Sequence, residues 1–198
     1  MLHIHFTGDS ITDAGRDRTD PTSLGDGYVS LVARAPELEG ARLSNSGIAG
    51  NRAIDLVERW ERDVLAARPD VLSIYVGIND VWRRFDSGDP TTDEDFAARL
   101  RGVLDRVPAG VRVLMVEPFL LPVTPDQNTW LPELAGKQRV VEELAREYGA
   151  QHVPLQGRLT EAAGESPAAW APDGVHPFPQ ASHLIADAWL EGYRRLTV

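Results

Sequence analysis

Two short apolar runs constrain this chain more than any other feature in it. Val71 to Val76 and Val111 to Val116 are almost continuously apolar, and each stops abruptly, at Gly77 and at Glu117-Pro118. Runs this short, without the polar alternation of a half-solvated strand, read as central strands of a parallel sheet covered on both faces. Parallel neighbours need crossovers, and helical spacing fills the gaps between the strands. Tyr28 to Ala35, ended by Pro36, is one such segment; Ala53, Leu56, Val57, Trp60 and Val64 mark the next. Three more follow, carried by Phe96 to Val107, Leu134 to Tyr148 and Ala181 to Trp189. An opening alternation of Leu2, Ile4 and Phe6, a segment at Arg42 to Ser44 and a weak one at Gln151 to Val153 complete five strand–helix alternations. The expected fold is therefore α/β, a three-layer α/β/α sandwich around a flavodoxin-like five-stranded parallel sheet. At 198 residues and 42% hydrophobic, the chain suits a single domain over 1–198. Asp13–Gly27, Val81–Thr92, Pro122–Pro132 and Pro154–Pro179 read as loops, the first overhanging the site.

Charge and cysteine content exclude several classes of function. A net charge of −10 and a pI of about 4.9 argue against nucleic acid or an anionic membrane as the partner, since both demand a basic surface. Nineteen of the 20 cationic side chains are Arg and only Lys137 is Lys, a bias read as genomic and not as a phosphate-binding device. With no cysteine there is no disulfide, thiolate metal site or Cys nucleophile. Met1-Leu2-His3-Ile4-His5 lacks the basic and apolar regions of a signal peptide, and no run approaches the roughly 20 apolar residues of a membrane span, so a cytoplasmic location is expected.

The loops that follow the strands carry the residues with chemistry. Ser10 ends the first strand, on the sheet edge where α/β proteins bind ligands, and is a candidate nucleophile. Of the five histidines, His3 and His5 alternate with the apolar positions of that strand and read as structural, although an H-x-H metal pair is the other reading. His152 lies in the last strand, and His183 lies on the polar face of the closing helix. His176 stands in a loop, Pro172-Asp173-Gly174-Val175-His176-Pro177, where one tight turn brings the Asp173 carboxylate back to the imidazole. A carboxylate on Nδ1 sets the tautomer and leaves Nε2 free to take the Ser10 proton. Taken alone, the same residues also make an ordinary Asp-Gly turn. Asn79 offers a side-chain amide, and Gly50 and Ser10 offer backbone N–H groups, to a developing oxyanion. Asp9 points away from Ser10 along any extended segment, so it is placed behind the nucleophile and not as its base. Asp9 is grouped with Trp82 and Trp170 as the residues around the substrate, and Trp82, Trp130 and Trp170 fall in the loops that would wall the crevice.

Four blocks of the chain resemble those of the SGNH (GDSL-type) hydrolases, in the family's order and over nearly the whole length. They are Gly8-Asp9-Ser10-Ile11-Thr12; Gly50 within Asn45-Ser46-Gly47-Ile48-Ala49-Gly50; Gly77-Ile78-Asn79-Asp80; and Asp173-Gly174-Val175-His176-Pro177. The resemblance implies the SGNH hydrolase fold, Ser10 as nucleophile, Asp173 and His176 completing a triad, Gly50 and Asn79 in the oxyanion hole, and neither metal nor other cofactor. The longer phrases Gly8 to Arg16, Gly77 to Arg83 and Trp60 to Val64 are similar to the intracellular acetylxylan-esterase-like branch. Here Ala171 and Pro172 separate Trp170 from Asp173, where that branch places the Trp directly before the Asp.

The expected function is a serine carboxylester hydrolase that removes acetyl groups through an acyl-enzyme, from acetylated xylo-oligosaccharides or similar sugars. Its partner is then a small ester, not a nucleic acid or a membrane, and a homo-oligomer is compatible with the sequence. Alternatives are a short-chain arylesterase, lysophospholipase or acyl-thioesterase with the same triad, or a non-catalytic carbohydrate-binding or scaffold protein. A metallophosphoesterase using Asp9, Asn79, His152 and His176 lacks the D-x-H and N-H-D/E ligand phrases of such sites.

Overall fold

The structure, a computed structural model, describes residues 1–196. In chain order the elements are β1 (His3–Gly8), α1 (Ser10–Asp13), α2 (Tyr28–Val32), β2 (Arg42–Asn45), α3 (Ala53–Arg59), β3 (Val71–Tyr75), α4 (Ile78–Asp86), α5 (Asp93–Leu104), β4 (Arg112–Val116), α6 (Leu131–Glu147), β5 (Gln151–Val153), α7 (Gln156–Ala163), α8 (Pro167–Trp170) and α9 (Pro179–Leu196). The five strands form one sheet in the order β2-β1-β3-β4-β5, and every pairing is parallel. This is the flavodoxin-like order that the alternation predicts. Phe6 lies level with Asn45 on one side and Ser73 on the other, and Ser73 with Leu114, so the strands' carboxyl ends share one edge.

Side chains alternate across β3, and so divide the core in two. Val71 and Tyr75 join one apolar cluster with Phe6, with Tyr28 and Val32 of α2 and with Ile185 and Trp189 of α9. Leu72 and Ile74 join the other, with Leu56 of α3, Phe96 and Leu100 of α5 and Leu144 of α6. The Ser73 hydroxyl at the centre of β3 is satisfied: Trp189 Nε1 donates to Ser73 Oγ at 2.9 Å. A Trp whose N–H finds such a partner can be buried completely without the cost of an orphaned donor.

Several elements differ from the sequence reading for stated reasons. β1 runs two residues beyond Phe6, because Thr7 and Gly8 keep their pairing with Ile74 and Tyr75. Gly8 is required there, since a Cβ would stand 2.2 Å from the Tyr75 carbonyl oxygen. The segment read as a loop from Val81 is largely helical: α4 buries Ile78, Asn79, Asp80 and Val81, then continues as the polar turn Arg83 to Asp86. Its apolar stripe is too short to register as a period. The expected loop Pro154–Pro179 likewise contains α7, which buries only Leu159 and Ala163, and the one-turn α8. The helix expected to run from Ala53 through Val64 leaves α geometry at Trp60, where wider π turns run to Val64.

Candidate active site

Ser10 is the first residue of α1, just past the end of β1. Asp9 caps that turn, its Oδ1 accepting from the Ile11 N–H at 3.0 Å. The Ser10 side chain faces His176, whose Nε2 lies 2.8 Å from Ser10 Oγ. On its other side, His176 Nδ1 lies 2.5 Å from Asp173 Oδ2. The carboxylate is itself held, because Asp173 Oδ1 accepts from the N–H of His176 at 2.8 Å and of Val175 at 3.0 Å. Burial pulls Asp173 upward, but these three hydrogen bonds and the nearby imidazole keep it net below the ordinary carboxylate range. An ionised Asp173 orients the ring and stabilises the imidazolium that forms when His176 takes a proton.

Gly50 and Asn79 stand after β2 and β3, on the sheet edge where Ser10 follows β1. Gly50 has φ +84°, a conformation that suits glycine, and its N–H takes no acceptor among the described residues. Neither does the N–H of Ser10, the first of its helix. Asn79, in the first turn of α4 and 3% exposed, donates one amide hydrogen to the Asn51 carbonyl at 3.0 Å. That bond fixes the amide plane and leaves the second hydrogen free for a ligand. Two carboxylates hold the loop that carries Gly50. Asp13 Oδ2 accepts from the Ala49 N–H at 3.0 Å, and Asp80 Oδ2 accepts from the Ala53 N–H at 3.0 Å. Burial raises Asp80 to about 6.

Two further residues that sequence reasoning did not single out hold the site together. Arg59 of α3 is 5% exposed; its guanidinium donates to the carbonyls of Gly8 (3.0 Å) and Ser46 (2.7 Å) and to Asn51 Oδ1 (2.7 Å). It thereby ties the Ser10 and Gly50 segments together. A signal existed: Arg59 falls on the apolar stripe of its helix, three positions after Leu56, where a charge is unexpected. Gln127 donates to the Asp173 carbonyl at 2.7 Å and accepts from the Val123 N–H at 2.8 Å, so it pins the Asp–His turn to the loop after β4. Nothing in its sequence surroundings marks it.

The expected surrounding residues separate. Trp82 does stand by the site, its ring 6.2 Å from that of His176. Trp130, read as a wall of the crevice, is 9% exposed and packs between Trp82 and Phe85. Asp9 is corrected from the substrate-side group: it is fully buried, so it cannot touch a ligand, and burial lifts it to about 7. Trp170 does not border the cavity beside Ser10. It packs half-buried on the core, and its carbonyl accepts from the Phe178 N–H, which ties it to the loop that carries His176. His3 Nε2 and His5 Nδ1 meet the Ser44 hydroxyl and His5 Nε2 meets that of Ser46. His152 faces Glu117 at 3.6 Å, on β5, three strands from the β1 that leads to Asp9. The loop expected to overhang contributes Asp26 and Gly27 to the cavity wall, while its start is fastened down through Asp13 and Arg16.

A serine hydrogen-bonded to an oriented imidazole, with free N–H donors beside it, can add to an acyl carbonyl and hold the resulting oxyanion. Comparison with known proteins agrees with that chemistry. The GDSL-like lipase/acylhydrolase family matches residues 6–183. An acetylxylan esterase from Geobacillus stearothermophilus is 38% identical, over 93% of this chain and 90% of its own. A crystal structure of an acetylxylan esterase from the same organism superposes with a TM-score of 0.88 at 35% identity, covering 96% of this chain and 93% of that one. A GDSL-like lipase from Parabacteroides merdae gives 0.90 at 34% identity, covering 96% and 94%. Catalytic mutants of the Geobacillus esterase alter a serine, and an aspartate and a histidine three positions apart. The chain thus belongs to the GDSL-like lipase/acylhydrolase family and is a carboxylic ester hydrolase.

Proposed function

We propose that this enzyme removes acetyl groups from acetylated xylo-oligosaccharides or closely related sugars, with Ser10, His176 and Asp173 as its triad. Ser10 Oγ attacks the acetyl carbonyl carbon while His176 Nε2 takes the hydroxyl proton. The negative charge that develops on the carbonyl oxygen is met by the N–H groups of Ser10 and Gly50 and by the free amide hydrogen of Asn79. Collapse of this adduct breaks the bond to the sugar oxygen, which leaves with the proton from His176. The acetyl-Ser10 ester is then hydrolysed by a water that His176 deprotonates, releasing acetate and restoring the serine.

The observation that carries this reading is the continuous hydrogen-bonded chain from Asp173 through His176 to Ser10, beside donors that have no other acceptor. The substrate class is supported by the relative's identity as an acetylxylan esterase across nearly the full length of both chains. Ser10→Ala and His176→Ala should each cost on the order of 10⁶ in kcat on 4-nitrophenyl acetate, and the double variant no more than either alone. Asp173→Asn should cost about 10⁴. Turnover that survives the two alanine variants contradicts the triad. Purified enzyme offered acetylated xylo-oligosaccharides beside acyl esters of rising length tests the substrate: activity on long esters with none on any acetylated sugar contradicts the acetyl-sugar reading.

A further inference from the structure

The tetrahedral adduct divides the space around Ser10. Its oxyanion turns toward Gly50 and Asn79, which follow β2 and β3. Its ester oxygen must come within hydrogen-bond reach of His176 Nε2, because that nitrogen returns the proton to the leaving alcohol. The alcohol therefore departs on the side of Ser10 that His176 occupies and the oxyanion donors do not.

A cavity of about 260 Å³ opens on that side. Ser10 and His176 both line it, and neither Gly50 nor Asn79 borders it. Ile11, Ala14 and Leu31 give it an apolar wall, and Asp26, Ser182 and His183 supply polar groups. Asp26 and His183 are both exposed, and neither side chain has a hydrogen bond or ion pair among the described residues. The volume lies near the lower end of small-ligand sites, which run from roughly 300 to 1,000 Å³. An acetyl group, with three heavy atoms, leaves most of it empty. A pyranose ring suits it better, since such a ring sets an apolar C–H face against aliphatic side chains and directs its hydroxyls to acceptors and donors at the rim.

Resting on the proposed function, we infer that this cavity is the alcohol-side subsite, in which Asp26 and His183 bind hydroxyls of the sugar ring that carries the acetyl group. These two residues then set the preference for sugar acetates over simple alkyl acetates. The acyl group lies on the opposite side of the adduct, outside this cavity.

The test is a selectivity ratio, kcat/KM for an acetylated xylobiose divided by kcat/KM for ethyl acetate. It is measured in Asp26→Ala and His183→Ala, both at exposed positions, and in Leu31→Trp, which fills the cavity. The ratio should fall about tenfold in each alanine variant, through KM on the sugar ester, and further in Leu31→Trp. A ratio steady within twofold in all three overturns the inference. So does a Leu31→Trp enzyme that instead shortens the longest acyl chain accepted on esters of one alcohol, because the cavity would then hold the acyl group. If the unaltered enzyme hydrolyses ethyl acetate but no acetylated sugar, the sugar substrate and the hydroxyl-binding role of Asp26 and His183 both fail. A series of acetates of increasing alcohol size then decides the cavity's side: Leu31→Trp should penalise the bulky alcohols selectively.

Discussion

Asn79 has two amide hydrogens, and the Asn51 carbonyl holds one of them. The other is aimed by that bond, so in the proposed mechanism the side chain is oriented before the ester arrives. Removing one such donor typically costs about 3 kcal/mol of transition-state stabilisation. Asn79→Ala should therefore lower kcat some 10²- to 10³-fold with little change in KM, as read from steady-state kinetics on 4-nitrophenyl acetate. A change in KM alone would mean that Asn79 binds the ground state equally well. Asp9 acts differently, through stability. Burial holds its folded value near 7 against 3.8 for a free aspartate, so from about pH 4 to 7 the folded chain keeps a proton that the unfolded chain has lost. The stability this proton contributes is complete below the lower value and is lost as pH rises through the higher one. Asp9→Asn carries no such loss. Relative to the unaltered enzyme it should gain roughly 4 kcal/mol between pH 4 and pH 8, measured by urea unfolding at both. A difference that does not vary with pH would contradict the buried-acid reading.

At the scale of elements, the active-site loops are fastened by side chains that come from elsewhere in the chain. Arg59 reaches from α3 to three acceptors on the β1 and β2 loops. Arg59→Met would leave those buried oxygens without a donor, at roughly 3 kcal/mol or more in total. Arg59→Lys should not rescue, because a single ammonium cannot reproduce the planar fork. Denaturation midpoints measure the first effect. A fall in kcat that accompanies it, in enzyme still folded, would report displacement of the Gly50 segment. Among the elements themselves, β3 and β4 were legible because their apolar runs are continuous, and α5, α6 and α9 because their stripes span several turns. α4 and α7 were not, since each buries only about one turn of apolar side chains and otherwise reads as a polar loop. The four motif blocks were all legible at the site, as was the turn that returns Asp173 to His176. Gln127 was not, because its role depends on where the loop after β4 lands.

Across the whole molecule, the buried titratable groups respond to pH in opposite directions, the raised carboxyls of Asp9 and Asp80 losing stability as pH rises and the lowered imidazole of His5 losing it as pH falls. His5 lies between β1 and β2 with both ring nitrogens bonded to the hydroxyls of Ser44 and Ser46, and burial pushes it down to about 3. Below about pH 6.5 the unfolded chain binds a proton that the folded imidazole refuses, so this group costs stability as pH falls from 6.5 toward 3. Asp9 acts in the opposite direction over part of the same range, and a variant is needed to separate them. His5→Gln should lose roughly 3 kcal/mol less than the unaltered enzyme between pH 7 and pH 4, by chemical denaturation at each pH. Equal losses would assign the acid sensitivity to other groups. Local chemistry determined the parallel strands, the helices between them and the four blocks that meet at the sheet edge, because apolar continuity, helical spacing and tight turns are written over a few consecutive residues, while the strand order was the one general fold rules favour for five such strands. Tertiary structure decided which surrounding side chains reach that edge: it buried Asp9 and Trp130, turned Trp170 onto the core, and opened a cavity walled by Asp26, Leu31 and His183. Those placements depend on how α1, α2 and α9 pack against one another, and no short stretch of sequence encodes that packing.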